Sequence, residues 1–330
     1  MSELKDQPQR NEYQVLLFYK YVHLADPKKV RDILQDLCVK YGFTGRGIVA
    51  TEGINITLEG TVENTEKFIL DLEGDDRFEG KFKDIHFKKS VGVGKAFRKL
   101  SMKVRSEIVS AHLGTCDIDP NLVTGKRCTP EMLHEWFESK KEFYIVDMRN
   151  VYEHNVGHFE GSILPPLENF RDLPKIIKGI KHLKNKTVLT VCTGGVRCEK
   201  ASGYLVSQGF TDVWQLDGGI VSYMEAYPNE HFDGKLYVFD NRVMMGFYTD
   251  DPKHKVVGSC EACGEASEHF INCDYAWCGR HFILCEACGE SQAQQKGNKT
   301  CPTGCKMRHP NKIASRSGRL WGRIKKYFNR

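Results

Sequence analysis

The placement of cysteine is the feature that most restricts how this 330-residue chain can fold. Eight of its 13 cysteines lie between residues 260 and 305, where they form four close pairs. These pairs are Cys260/Cys263, Cys273/Cys278, Cys285/Cys288 and Cys301/Cys305. A segment so short and so rich in loops cannot fold on its apolar residues alone, so bound metal is expected to supply the missing stability. Four thiolates per site indicate two structural zinc ions.

The sequence leaves open how the four cysteine pairs combine. If the first pair shares a site with the third and the second with the fourth, the two sites form a cross-brace. If the first pair shares a site with the second and the third with the fourth, the two sites follow one another along the chain. Either His281 or His309 is an alternative ligand in place of a cysteine. Disulfide bonds are the competing interpretation, and a reducing compartment disfavours them.

Composition excludes several classes of protein. Hydrophobic residues make up 40% of the chain and charged residues 28%, which is neither a disordered nor a fibrous composition. No run approaches the length of a membrane-spanning helix, and the first residues lack the apolar core of a secretory signal. We therefore expect a cytoplasmic protein of two or three domains, whose cysteines are reduced, catalytic or bound to metal.

Charge is distributed unevenly along the chain. The formal net charge is +5, but residues 306–330 contain nine Lys or Arg and no Asp or Glu, so the remainder is slightly acidic. Four cations of this tail form one helical stripe: Arg319, Arg323, Lys326 and Arg330. The stripe predicts binding to RNA phosphates, with an anionic membrane surface or a merely solubilising tail as the alternatives. A second basic cluster consists of Lys95, Arg98, Lys99, Lys103 and Arg105.

Strand and helix patterns divide the chain into five segments. Residues 1–112 follow a βαββαβ order, which predicts a ferredoxin- or acylphosphatase-like α+β domain. Residues 113–127 are aperiodic and predict a linker. Residues 128–235 alternate strands with helices, which predicts an α/β domain with a parallel sheet. Residues 236–305 form the predicted zinc module, and residues 306–330 form the basic tail.

Hydrophobic periodicity also predicts where single elements lie. The last two strands of the first domain are expected at Ile85–Phe87 and Lys103–Ile108. In the second domain, the strand Thr187–Val191 is expected to precede a helix that begins at about Glu199.

A glycine-rich loop in the second domain has the pattern of a reactive site. The strand Thr187–Val191 leads into Cys192, and the loop continues with Thr193, Gly194, Gly195, Val196, Arg197 and Cys198. The carboxyl end of a parallel strand is where such sheets bind ligands. Glycine amides, the start of a helix and Arg197 all favour a thiolate, so Cys192 is the candidate nucleophile.

The length of this loop suits a small group. Four residues separate Cys192 from Arg197, and cysteine-dependent phosphatases use a loop one residue longer. The shorter loop fits a sulfur-sized group such as a persulfide. Cys198 is either a resolving thiol or a small residue that packs the helix.

Three motifs in order resemble the rhodanese superfamily. Asp147–Asn150 and Gly157–Ile163 are similar to its DxR…GHIxGA signature, and Asp212–Ile220 is similar to its closing V-x-x-L-x-G-G motif. The resemblance implies that Cys192 forms a persulfide. It also implies that two residues support the loop and the sheet, namely Asp147 and Arg149. In this motif His158 is either a base or a structural residue.

Three longer strings make the resemblance more specific. CTGGVRCEKASGYL from Cys192, ATEGINITLEG from Ala50 and KVRSEIV from Lys103 resemble the bacterial tRNA uridine hydroxylase family. Its members join an acylphosphatase-like domain to a rhodanese domain, and many carry a cysteine-rich C-terminal segment. The resemblance covers about residues 13–305 and implies oxygen-dependent conversion of the wobble uridine, position 34 of certain tRNAs, to 5-hydroxyuridine.

The resemblance sets the expected chemistry. It implies tRNA as the partner and molecular oxygen as the co-substrate, while no flavin or haem motif is recognised. Our hypothesis is that Cys192 acts covalently, as a persulfide or as an adduct at uracil C6, with Arg197 and Cys198 beside it. The alternatives are a rhodanese-type sulfurtransferase that carries a persulfide on Cys192, and a non-catalytic adaptor that binds zinc and RNA.

Overall fold

The first domain is built on a sheet of five strands in the order β4-β1-β3-β2-β5. The computed structural model describes residues 12–274, 278, 280–296 and 300–301 of the chain. The elements of the first domain are β1 (Tyr13–Tyr21), α1 (Pro27–Lys40), β2 (Thr44–Ala50), β3 (Gly53–Thr61), α2 (Val62–Gly74), β4 (Lys88–Val91) and β5 (Leu100–Val104). Strands β1 to β4 pair antiparallel, and β5 adds to β2 in parallel. This split βαβ order confirms the predicted ferredoxin- or acylphosphatase-like fold.

Both helices of this domain begin where a side chain caps the free backbone N–H groups. Asp26 accepts a hydrogen bond from the N–H of Lys29 before α1, and Thr61 accepts one from Asn64 before α2. The apolar faces of the two helices share one buried core with the strands, which includes Phe18 of β1. The core therefore leaves the other face of the sheet free to contact the second domain.

Two predicted strands of the first domain lie elsewhere. The predicted strand Ile85–Phe87 is wrong, because these residues precede β4 and Ile85 packs into the core. The prediction Lys103–Ile108 is shifted, since β5 ends at Val104. Beyond β5 the backbone N–H of Ile108 donates to the carboxylate of Glu52 at 2.6 Å. A side chain has thus replaced a neighbouring strand as hydrogen-bond acceptor.

The second domain has the predicted α/β architecture. Its sheet has the order β6-β10-β9-β7, and every strand pair in it is parallel. The elements are β6 (Lys126–Cys128), α3 (Pro130–Glu138), β7 (Tyr144–Asp147), α4 (Val151–His154), β8 (Gly157–Phe159), α5 (Leu173–Gly179), β9 (Thr187–Val191), α6 (Val196–Ser207), β10 (Asp212–Leu216) and α7 (Gly219–Ala226). Single 3-10 turns lie at Asp76–Phe78, Gly114–Cys116, Phe170–Asp172 and Lys181–Leu183.

Helix α6 begins three residues before the predicted start at Glu199. Gly195 has a φ of +96°, which turns the chain from the loop directly into the helix. The carbonyl of Gly195 then accepts hydrogen bonds from the N–H groups of Cys198 and Glu199. As a result Arg197 and Cys198 lie within the first turn of α6 and close to the end of β9.

The remaining elements are short strands and one helix. They are β11 (Phe232–Gly234), β12 (Leu236–Tyr237), β13 (Met244–Met245), β14 (Phe270–Asn272), β15 (His281–Ile283) and α8 (Glu286–Lys296). β11 pairs with β8, which returns the chain to the second domain, and β14 pairs with β15 beside the cysteines. Every helix in the described part of the chain is too short or too polar to cross a lipid bilayer.

The first two domains are in direct contact. The hydroxyl groups of Tyr19 and Tyr21 in β1 donate to Glu199 and to the carbonyl of Val196 in α6. The segment after β5 also joins the second domain, because Val109 packs into that domain's core. The contact places the exposed side of β1 and β4 against the loop that follows β9.

Candidate functional site

Cys192 lies at the carboxyl end of β9 and is fully buried. The first turn of α7 fixes the loop, because the N–H groups of Ile220 and Val221 donate to the carbonyls of Cys192 and Thr193 at 2.9 and 3.1 Å. Gly219 permits this approach, since a β-carbon there would lie 2.6 Å from the Gly195 nitrogen. The loop is therefore held from both the strand and the helix sides.

The surroundings of Cys192 favour its thiolate. Burial alone would raise the pKa of this thiol. A hydrogen bond from the Cys198 thiol, the charge of Arg197 and the backbone N–H groups of both residues outweigh burial and lower the pKa to about 6. Cys192 is thus mainly a thiolate at neutral pH, which is the form in which a cysteine acts as a nucleophile.

Cys198 has the complementary character. It is fully buried, and burial together with the neighbouring Cys192 raises the pKa of its thiol well above the usual range. It therefore stays protonated and donates its hydrogen to the Cys192 thiolate. Cys198 thus packs in α6 and contacts the Cys192 sulfur, while its role as a resolving thiol stays a prediction.

Arg197 is held by a carboxylate that the sequence analysis missed. Its Nη1 and Nη2 atoms lie 2.6 and 2.7 Å from the two carboxylate oxygens of Glu153 in α4. Glu153 is fully buried, and it also accepts hydrogen bonds from the Asn150 N–H and the Thr193 hydroxyl. The helix-capping spacing of Asn150 and Glu153 is the signal that could have found it.

Asp147 and Arg149 form a buried ion pair beneath this site. Their closest atoms, Oδ2 and Nη2, lie 2.6 Å apart, and both side chains are inaccessible to solvent. Arg149 also donates to the carbonyl of Gly157, which ties the end of β7 to β8. His158 lies outside the lining of the cavity that Cys192 faces, and its Nδ1 lies 2.9 Å from the carbonyl of His154. Asp147 and Arg149 likewise lie outside the lining of that cavity.

A cavity of about 550 Å³ opens above Cys192, between the first two domains. The second domain contributes the reactive loop, from Cys192 to Gly194 together with Val196 and Arg197. Strands of the first domain contribute Leu17, Asn55 and Lys88 to its lining. Phe239 from the later segment is 37% exposed and lies against Arg46 and Arg197. This volume is in the range of small-molecule sites, roughly 300–1,000 Å³.

The cysteines gather in the cross-braced order. One group joins the first pair to the third: Cys260, Cys263, Cys285 and Cys288. The other joins Cys273 and Cys278 to Cys301, while Cys305 lies outside the described residues. His281 instead lies 3.1 Å from the Tyr237 hydroxyl, and His309 lies outside the described residues.

The spacing of the sulfur atoms fits a tetrahedral metal. The sulfurs of Cys263 and Cys285 lie 3.7 Å apart, and those of Cys278 and Cys301 lie 3.9 Å apart. Four thiolates around one zinc at the usual bond length have sulfurs about 3.8 Å apart. Both groups can therefore hold a metal ion.

The structure places one of the two predicted RNA-binding clusters. Its five cations are solvent-exposed and lie before, within and just after β5: Lys95, Arg98, Lys99, Lys103 and Arg105. The four cations of the other cluster lie outside the described residues: Arg319, Arg323, Lys326 and Arg330. The described basic surface thus belongs to the first domain.

Comparison with known proteins matches three consecutive parts of the chain to domain families. A model described as UPF0176 acylphosphatase like domain matches residues 13–108, a Rhodanese-like domain matches 129–226, and a Rhodanase C-terminal model matches 233–306. The chain is 41% identical over 301 residues to the tRNA uridine(34) hydroxylase of Cytophaga hutchinsonii, covering 91% of this chain and 92% of the relative. It is 39% identical to the protein of that name from Bacillus licheniformis, covering 92% and 91% of the two chains. The chain therefore belongs to the tRNA uridine(34) hydroxylase family.

Proposed function

We propose that this protein hydroxylates the wobble uridine, position 34 of tRNA, to 5-hydroxyuridine in an oxygen-dependent reaction. The observation that carries the proposal is the activated Cys192 thiol at the base of a nucleoside-sized cavity. An anticodon-loop base is unpaired, so it can enter such a cavity without breaking a base pair. A tRNA substrate also supports a cytoplasmic location.

Cys192 supplies the covalent chemistry in this proposal. Its thiolate either carries a persulfide or adds to C6 of the uracil ring, in which case the C5–C6 π electrons move toward the C4 carbonyl. The charge of Arg197, the backbone N–H groups of Arg197 and Cys198, and the Cys198 thiol hold the negative charge on sulfur. Hydroxylation at C5 is a two-electron oxidation of the uracil ring, and molecular oxygen is the co-substrate that serves as the oxidant. Asp147 and Arg149 support the loop from below.

The test is mass spectrometry of wobble uridine in tRNA. Cells that lack the gene are complemented with the wild type, with Cys192→Ser, or with Cys38→Ser as a matched control. Cys38 is buried in the core of the first domain, far from the loop in the chain. The wild type and the control should restore 5-hydroxyuridine, whereas Cys192→Ser should not. Normal modification by Cys192→Ser would refute the role of this thiol.

A rhodanese-type sulfurtransferase is the second candidate, because the four-residue loop suits a persulfide. The relatives argue against it as the main activity, since they are named tRNA uridine(34) hydroxylases. Thiosulfate:cyanide turnover with unmodified tRNA would favour the sulfurtransferase. A non-catalytic adaptor is disfavoured because it has no use for an activated thiol.

We propose that the two cysteine groups each bind one structural zinc ion, with Cys305 as the fourth ligand of the second site. The sulfur spacing of the first three pairs and Cys301 supports this assignment. We also propose that residues 236–305 form the metal-stabilised module after the domains predicted at 1–112 and 128–235. The second domain begins two residues before its predicted bound, because β6 starts at Lys126. Metal analysis should find two zinc ions per chain, one in Cys260→Ser and one in Cys273→Ser.

We propose that tRNA phosphates bind the exposed cluster around β5 and the basic tail. Replacing Lys95, Arg98, Lys99, Lys103 and Arg105 by Gln should weaken tRNA binding and flatten its dependence on salt. The same change at Arg319, Arg323, Lys326 and Arg330 tests the tail. Unchanged binding after either set of changes would remove that cluster from the interface.

A further inference from the structure

Lys88 is a buried cation in the wall of the cavity. Its side chain is only 6% exposed, yet it lines the space above Cys192. Among the residues that the structure describes, its ammonium group has neither a hydrogen-bond acceptor nor an ion-pair partner. Buried ammonium groups normally have such a partner, because removing a charge from water without compensation is costly.

The first domain places Lys88 directly on the reactive loop. Lys88 of β4 pairs with Leu17 of β1. A β-carbon on Gly194 would lie 2.7 Å from Leu17 Cδ2 and 3.8 Å from Lys88 Cδ. The Nζ atom lies 4.9 Å from the centre of the Tyr19 ring, whose face partly replaces water around the charge.

The nearby carboxylates are already engaged by another cation. Asp217 and Glu199 accept hydrogen bonds from Arg127 at 2.9 and 2.8 Å. Burial, opposed by Asp217 and Cys192, lowers the pKa of Lys88 to about 8. The ammonium is therefore a donor that has no acceptor among the described residues.

We propose that Lys88 contacts the target nucleotide, donating a hydrogen bond to an acceptor oxygen held beside Cys192. That oxygen is either a carbonyl of the uracil ring or the phosphate that flanks it. The inference rests on the proposed function and extends it, because it assigns a substrate-binding role to the acylphosphatase-like domain. The cavity then needs both domains to hold one nucleotide.

The first test compares rates of tRNA modification by purified full-length variants. Lys88→Met removes the charge and keeps the length, and Lys88→Arg keeps the charge. Lys67→Met is the matched control, since Lys67 is exposed on α2 and pairs with Glu63. Lys88→Met should lose roughly tenfold to a hundredfold in rate, as expected for a charged hydrogen bond. Lys88→Arg should lose less, and the control should lose nothing.

A second measurement separates contact with substrate from an effect on the thiol. The pH dependence of Cys192 alkylation by iodoacetamide, without tRNA, should shift by well under one pH unit between the wild type and Lys88→Met, because Cys198 and Arg197 are the larger influences on the pKa of this thiol. A midpoint raised by about one pH unit or more would show that Lys88 acts by stabilising the Cys192 thiolate, and it would overturn the proposal. Lys88→Met should also melt no lower than the wild type, because it removes a buried charge that has no ion-pair partner in the described part of the chain.

A third measurement identifies the acceptor. The substrates are tRNAs assembled from fragments, in which a neutral methylphosphonate replaces either the phosphate before the target uridine or the one after it. If a phosphate is the acceptor, the substitution should slow the wild type but not further slow Lys88→Met. If a uracil carbonyl is the acceptor, the methylphosphonate should change the rates of the wild type and Lys88→Met by the same factor.

The outcomes distinguish the role of Lys88 from the proposed function. Wild-type rates from Lys88→Met would overturn the role of Lys88 and leave the proposed function intact. Absence of modification by the wild type would instead refute the proposed function.

Discussion

At the scale of single residues, the site depends on how one buried sulfur is kept charged. Burial removes water from the Cys192 sulfur, which disfavours the thiolate. Hydrogen bonds from the Cys198 thiol and two backbone N–H groups, together with the positive charge of Arg197, stabilise the thiolate instead. Two other buried cysteines, Cys38 and Cys128, lack these compensations, and burial raises the pKa of each to about 12. The pKa of Cys192 therefore differs from those of Cys38 and Cys128 because of local electrostatics and not because of the degree of burial.

The first prediction concerns the pH dependence of Cys192. Iodoacetamide should label Cys192 at pH 7 with a midpoint near the pKa of about 6, and leave Cys38 and Cys128 unlabelled. Because the folded-state pKa lies below that of a free thiol, the thiolate stabilises the folded state fully above pH about 9. This stabilisation is lost as the pH falls through about 6. Unfolding of the wild type and Cys192→Ser across this range measures it, and a constant difference would contradict the prediction.

The second prediction concerns Glu153, the buried partner of Arg197. Glu153→Gln keeps the shape but leaves the guanidinium without its counter-charge. We expect the free energy of unfolding to fall by about 3 kcal/mol, as for other broken buried ion pairs. Denaturant unfolding measures the effect.

The control for Glu153→Gln is Glu63→Gln, which removes an exposed partner of Lys67. This change should have no measurable effect on unfolding, because exposed ion pairs contribute little. Equal stability of the two variants would show that the Glu153–Arg197 pair does not stabilise the loop.

At the scale of elements, two helix starts and one strand end enclose the reactive loop. The starts of α6 and α7 lie so close that Gly219 has no room for a side chain beside Gly194 and Gly195. Gly219 also has a φ of +73°, which L side chains rarely adopt. The loop geometry therefore depends on one glycine in another helix.

The third prediction is that Gly219→Ala disturbs the loop. The added methyl group would meet backbone atoms at 2.6–2.7 Å, so the loop or α7 must shift. We expect a loss of about 2–4 kcal/mol in stability and at least tenfold in tRNA modification. Gly179→Ala at the end of α5 is the control, because a β-carbon there meets nothing within 4 Å. Similar losses in both variants would contradict the proposed crowding.

At the scale of the whole molecule, a segment after β12 connects the second domain back to the first. Arg242 donates to the Ser90 hydroxyl and the Val91 carbonyl in β4, at 3.0 and 2.8 Å, and also pairs with Asp240. Asn241 donates to the carbonyls of Lys95 and Ala96. This segment holds the edge strand that carries Lys88, so it helps to keep the cavity closed.

The fourth prediction is that Arg242→Gln loosens this contact. The variant loses the charged donors to β4. It also removes the ion-pair partner of Asp240, whose side chain is buried. We expect faster hydrogen exchange in β4 and at least a threefold lower modification rate, with exchange in β9 unchanged. Arg77→Gln is the control, because Arg77 pairs locally with Asp75. Unchanged exchange in β4 would show that Arg242 does not hold the domains together.

Much of the fold was predictable because its signals are local. The strand Thr187–Val191 was predicted at its observed bounds, since five apolar or β-branched residues precede a glycine-rich loop. The predicted strand at Ile85–Phe87 was wrong, because an apolar run looks alike whether it enters a sheet or packs as a loop in the core. The helix start before Glu199 was missed since a left-handed glycine can turn the chain earlier than propensity indicates.

By itself, the sequence determined the family, the order of the domains, the loop that carries Cys192 and the cysteine pairs, since all of these reside in short strings and spacings. Tertiary structure alone decided what surrounds them. It brought Glu153 to Arg197 across 44 residues, set Lys88 of another domain beside Cys192, and combined the first cysteine pair with the third. Such contacts depend on how distant strands and helices pack, and no local pattern records the distance between two side chains that meet only in the folded chain.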